Sequence, residues 1–177
     1  MSAHAFVDES ARNRQFLLCV TLVEPAHLRP TRRALTELLL RGARELHFKK
    51  EKEPRRRQLI DQMAKMSVSV RMYTGSCSPK TEEAVRQQCL RQMAEDLLAV
   101  GAHRLVLDTR NERDAHDHRT LWQTLGSRPS KTELTYEHLD STLEPILWIS
   151  DAVAWCFGAG GGWAQRVAGL IDAHIKL

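Results

Sequence analysis

No apolar stretch of the 177-residue chain reaches the roughly 18 uncharged residues a spanning helix needs, because Glu144 and Asp151 interrupt the longest one. The opening MSAHAFVDES has no basic region followed by a long apolar stretch, so a secretory leader is not expected. Cysteine is sparse. Cys19, Cys77, Cys89 and Cys156 lie far apart, with the spacing of neither a zinc site nor a disulfide frame, and they read as idle thiols of a reducing compartment. No internal repeat or low-complexity segment is present. Ser10, Ser78 and Ser141 lack a GxSxG setting and read as caps rather than nucleophiles. The GAGGG run ending at Gly162 lacks both the Lys-Ser/Thr of a phosphate loop and a preceding strand, and reads as a helix stop. With 42% hydrophobic and 27% charged residues, the expectation is one cytoplasmic globular domain over residues 1–177.

Charge is unevenly distributed. Arg29 to Arg57 holds eleven Lys or Arg against four Glu, a local +7, whereas the whole chain carries +4. A basic block in a mixed background is the electrostatic footprint of phosphate binding, although a solvated helix face has the same composition.

The apolar patterning alternates between strand and helix periods. AHAFVDE and QFLLCVTLV predict two strands of a hairpin, and SVSVRMYT, RLVLD and ELTYEH predict three more. Helices are expected over Pro25–Leu40, Pro54–Met66, a long segment capped by Ser78, Asn111–Leu125, a strongly apolar segment through Phe157, and a last one from Trp163. Setting aside the basic two-helix insertion (about 25–66), the order is β-β-β-α-β-α-β-α. That is the element order of a ribonuclease-H-like fold, an α/β architecture whose mixed sheet of about five strands carries helices on both faces.

Three acids interrupt apolar runs. Asp151 is the one ionisable residue in PILWISDAVAWCFGAGGG, and its helical neighbours Leu147, Trp148, Ala154 and Trp155 are apolar. A carboxylate on such a face must be paired, neutralised or bound to a cation, since a bare one costs several kcal/mol. Asp8 closes AFVD and Asp108 closes RLVLD, where mixed sheets place their chemistry. Each alone is also explained as a turn cap. Together they make a repulsive cluster that divalent cations stabilise, and hard oxygen ligands favour Mg²⁺ or Mn²⁺. The DAHDH cluster (Asp114, His116, Asp117, His118) mixes metal ligands but fits no strong zinc spacing, and acids at a helix start are ordinary dipole partners. His138 and Asp140 follow a strand and either border the site or form a turn, and the tryptophans read as core.

VDES, ELHFKKE, RLVLDTR and ISDAVAW resemble the uncharacterised bacterial family called domain of unknown function 3800, over about Phe6 to Trp155. The resemblance implies a ribonuclease-H-like fold and acids from the first strand, the fourth strand and the last core helix, positions held by Asp8, Asp108 and Asp151. Glu9 is the second acid of VDES, and Glu45, with His47 two residues on, is the preferred fourth carboxylate. The expected function is a metal-dependent nuclease or phosphoryl-transfer enzyme with Mg²⁺ or Mn²⁺ at Asp8, Asp108 and Asp151. Arg44, Lys49, Lys50, Arg55, Arg56 and Arg57 would hold the nucleic acid, DNA and RNA being indistinguishable, and no membrane is involved. The rival is a catalytically inactive ribonuclease-H-like binding or assembly module, favoured by the lack of a clear fourth acid.

Overall fold

The computed structural model describes residues 3–110, 112–126 and 134–177. Strands β1 (Ala3–Arg12) and β2 (Gln15–Val23) form the expected hairpin, but they run on to a turn of two residues, Asn13 and Arg14, both at positive φ. A two-residue turn of that hand matches the right-handed twist of the strands it joins. Helices α1 (Pro25–Glu37) and α2 (Glu53–Met63) follow, separated by irregular chain and a short 3₁₀ turn at Phe48–Lys50. Then come β3 (Ser69–Ser76), α3 (Glu82–Ala99), β4 (Ala102–Asp108), α4 (Asp114–Gly126), β5 (Thr135–Leu139), α5 (Leu147–Ala159) and α6 (Gly161–Val167). The expected start of the fifth strand at Glu133 and of the fourth helix at Asn111 lie outside the described residues.

Two expectations are corrected. Ser78 does not cap α3: it opens a preceding turn, its N–H donating to Thr81 Oγ1, and the helix begins at Glu82. The last α-helix ends at Val167, and after a 3₁₀ turn at Ala168–Leu170 the chain is no longer helical. It forms a sixth strand, β6 (Ile171–Lys176), which lies parallel to β3 at the sheet edge, so the sheet order is β5-β4-β1-β2-β3-β6.

Within the sheet β1, β2 and β3 are antiparallel neighbours, and β1, β4 and β5 run parallel. Alternation along each strand divides the core in two. Phe6, Leu17, Cys19, Met72 and Val106 face α5, the α1–α2 segment and α6. Val7, Leu18, Tyr73, Leu105 and Leu107 face α3 and α4. A buried Leu or Ile of this kind contributes about 1.5–3 kcal/mol. Helix α5 is apolar on nearly all sides because the sheet covers one side and the α1–α2 segment and α6 cover others. No helix among the described residues is long and apolar enough to cross a membrane.

Candidate active site

Asp8 and Asp108 come together through strand register. Val7 pairs with Leu107 in the parallel β1–β4 ladder, and each aspartate is the next residue on its strand. Side chains alternate, so both carboxyls emerge on the α5 face. Asp151 is brought to them by its neighbour: Ser150 Oγ donates to the Phe6 carbonyl at 2.8 Å and accepts from the buried Thr21 hydroxyl at 2.8 Å. Buried Glu144 fixes the start of α5, with Oε1 accepting the Ile146 N–H at 3.2 Å and Arg32 forking onto the carboxylate at 2.7–3.2 Å. The turn before α5 and the rung of β1 beneath it therefore set where Asp151 points.

The electrostatics reflect the crowding. Burial, then the charge of Asp151, pushes Asp8 up to about 6. Burial, then the charge of Asp8, pushes Asp108 up to about 7. Burial also raises Asp151, opposed by the Phe48 N–H that donates to its Oδ2 at 3.2 Å. Cys19, opposite Asp8 in the hairpin, is raised by burial and then by Asp8 and Asp151. Three acids that disfavour one another's ionisation call for a cation. In the protein alone that cation is Arg110, two residues beyond Asp108, whose Nη2 reaches Asp8 Oδ1 at 3.2 Å and the Glu9 carbonyl at 2.9 Å. RLVLDTR contains this arginine, yet its role was not legible from the motif.

The other predicted residues are distributed as follows. Glu45 lies beside Asp151 and adds to the negative field there; it is held by His47 Nε2 at 2.6 Å and by the Ser141 hydroxyl. Glu9 does not join the cluster. Being odd-numbered on β1, it faces α3 and α4 and takes the buried Arg86 Nε at 2.7 Å. Of the basic residues, Arg55 donates to the Leu38 carbonyl and Gln58, Arg57 pairs with Glu53, and Arg56 donates to the Phe48 and Lys49 carbonyls. Arg44, Lys49 and Lys50 are exposed.

Among the described residues, the group whose ligand atoms all lie within 4.8 Å of one another is Asp114, Asp117 and His138, a set able to hold an ion. It sits on the α3–α4 face, since His138 pairs in register with Leu107. Asp117 there already accepts from Arg86 Nη2 at 2.7 Å and lies 3.2 Å from His138 Nε2. Burial alone would raise Asp117, but these partners hold it below the ordinary carboxylate value. Arg86 thus already supplies positive charge to this group, although its Nη1 and Asp117 Oδ1 are buried without a hydrogen-bond partner. Asp8, Asp108 and Asp151 do not meet that spacing; they offer hard-oxygen donors near one another, with the Arg110 guanidinium as the cation beside Asp8.

No family model matches the chain, and no curated protein does. Among solved structures, it is similar to a chain of the PCNA:RNase HII complex from Archaeoglobus fulgidus. The TM-score is 0.53 at 16% identity, over 88% of this chain and 70% of that one. The chain has a ribonuclease-H-like fold. Its five strands in the order β5-β4-β1-β2-β3 are the mixed sheet of that fold, with β6 added beyond β3.

Proposed function

We propose that the chain is a divalent-metal-dependent nuclease or phosphoryl-transfer enzyme acting on nucleic acid, with Asp8, Asp108 and Asp151 as its metal ligands and Glu45 as the fourth acid. The convergence of three carboxylates from β1, β4 and α5, two of them raised to about 6 and about 7, carries this reading. The motifs resembling domain of unknown function 3800 and the likeness in fold to a ribonuclease structure support it.

Two divalent ions, when bound, would stabilise charge on the scissile phosphate and lower the pKa of the attacking water. Asp8, Asp108 on the adjacent strand and Asp151 on α5 would hold them. Asp151 is held in place by the Phe48 N–H, and Glu45 by His47 and Ser141. Arg110, released from Asp8, would face a phosphate oxygen from the same side. Arg44, Lys49, Lys50, Arg55, Arg56 and Arg57 would contribute to substrate attraction by long-range charge. Glu9 has a supporting role in this scheme: with Asp117 it fixes Arg86 and so the packing of α3 and α4 beneath the site.

The test is cleavage of end-labelled single-stranded, duplex and DNA–RNA hybrid substrates with Mg²⁺, with Mn²⁺ and with chelator. The reading predicts metal-dependent products that Asp108→Asn abolishes. Equal products from wild type and variant, or none from any substrate, would refute it. One observation favours the rival binding module: Arg110 already offsets part of the cluster's charge at Asp8 without metal. A thermal melt separates the two, since an ion that binds only the folded protein must raise its melting temperature.

A further inference from the structure

Beside the carboxylates the surface opens into a cavity of about 450 Å³ lined by Ser10, Ala11, Arg12, Lys49, Arg56, Ala154 and Trp155. Three of these side chains are cationic and none is acidic. The cavity continues from the acid cluster along two elements at once. Ser10 is two residues beyond Asp8 on the same face of β1, about 6–7 Å on at strand rise. Trp155 is one helical turn beyond Asp151 on α5, about 6 Å on.

One of the cations, Arg56, is held in place. Arg56 stacks on the Trp155 ring with its guanidinium carbon 4.4 Å from the centroid, while its Nε and Nη2 donate to the Phe48 and Lys49 carbonyls at 2.9 and 2.5 Å. Among the described residues its Nη1 makes no hydrogen bond. The Arg12 guanidinium also approaches that ring, at 5.6 Å. The stem of Arg12 passes α5 at Gly158, where an added Cβ would lie in ordinary contact with Arg12 Cδ at 3.6 Å and press on Leu17 Cδ1 at 2.9 Å. Trp155 is braced edge-on by Phe48 and Trp163 at 5.4 and 5.3 Å. Arg12 and Lys49 have no carboxylate within ion-pair distance among the described residues. A fixed ring orienting two guanidiniums into an acid-free cavity, with a lysine at its rim, is a phosphate-binding arrangement.

We propose that Arg12, Lys49 and Arg56 form a subsite for the backbone phosphates of a nucleic-acid strand, one or two nucleotides from the phosphate at the carboxylates, with Trp155 as the positioning residue. This rests on the nuclease reading for its direction along the strand, while the subsite itself needs no metal. It also separates the basic segment into contacting and non-contacting residues: Lys49 and Arg56 line the cavity, whereas Arg57 pairs with Glu53 away from it.

The experiment is fluorescence anisotropy of a labelled single-stranded oligodeoxynucleotide in EDTA, at several salt concentrations. Wild type should bind, and Arg12→Ala and Lys49→Ala should each weaken binding about tenfold and reduce the salt slope by about one. Arg91→Ala, on α3 where it bonds Gln87, should leave both nearly unchanged. Trp155→Leu should weaken binding and Trp155→Phe restore it, with unchanged circular dichroism in both. Asp108→Asn should bind at least as tightly as wild type. If the Arg12 and Lys49 losses appear but no metal-dependent cleavage is found, the subsite stands and the nuclease reading falls. If cleavage is metal-dependent but Arg12→Ala and Lys49→Ala bind as wild type, or if polyglutamate displaces the oligonucleotide as well as unlabelled DNA does, the subsite is overturned. Absence of any oligonucleotide binding by wild type overturns it as well.

Discussion

Replacing Asp8 with Asn tests the electrostatic account of the site without needing substrate. Asp8 is 9% exposed and titrates at about 6 in the folded protein, against about 4 in an unfolded chain. Folding thus favours the protonated form. Well below pH 4 the group is neutral in both states and costs nothing. As pH rises through 6 the folded protein must carry a buried charge beside Asp151, and stability falls. A difference of about two pH units corresponds to about 3 kcal/mol as an upper bound, complete by about pH 8. Asparagine keeps the shape and removes the charge. In EDTA, Asp8→Asn should therefore gain up to about 2 kcal/mol on wild type between pH 4.5 and pH 8, because part of the effect is already present at pH 4.5, or about 4–8 °C in melting temperature at this chain length. Lost hydrogen bonds to Arg110 and the Glu9 N–H shift the variant at both pH values and drop out of the comparison. Relief of Asp108, whose value Asp8 also raises, acts in the same direction. Urea unfolding at the two pH values measures it. A wild-type–variant difference that does not change with pH within about 0.5 kcal/mol would refute the reasoning.

Further outcomes follow from the same geometry. Arg86→Met leaves Glu9 and Asp117 buried without their cation and should cost about 3–5 kcal/mol in urea unfolding; a loss below about 1 kcal/mol would contradict the ion network. Arg110→Ala removes the internal neutralising charge, so the metal-free protein should melt lower at pH 8 and gain more than wild type on adding Mg²⁺. An equal gain would mean that Arg110 and the cation do not compete. Asp151→Asn should abolish the thermal response to Mg²⁺, and an unchanged response would remove Asp151 from the ligand set.

Much of the sheet was legible because its strands are uniform in pattern: QFLLCVTLV is buried along almost its whole length, and RLVLD is short and bounded. Asp151 stood out because one charge in an apolar helix has few physical explanations. The last strand was not legible. IDAHIK alternates half-buried and exposed residues at an edge, and its apolar positions also suit a helix; pairing with β3 decides the matter. Glu9 was grouped with Asp8 by motif, although strand alternation places neighbours on opposite faces. Arg12 went unnoticed because β1 was expected to end at Glu9. Three more paired residues carry the strand to the Asn13–Arg14 turn and set Arg12 over α5. Arg110 could not be assigned from sequence, since its meaning depends on which carboxylates the loop after β4 meets.

The most direct test of the central claim is a crystal structure grown with Mn²⁺ and read by its anomalous signal. The account predicts manganese within coordination distance of Asp8, Asp108 and Asp151, with Arg110 turned away from Asp8. Manganese bound between Asp114, Asp117 and His138, with no signal at the three aspartates, would contradict it.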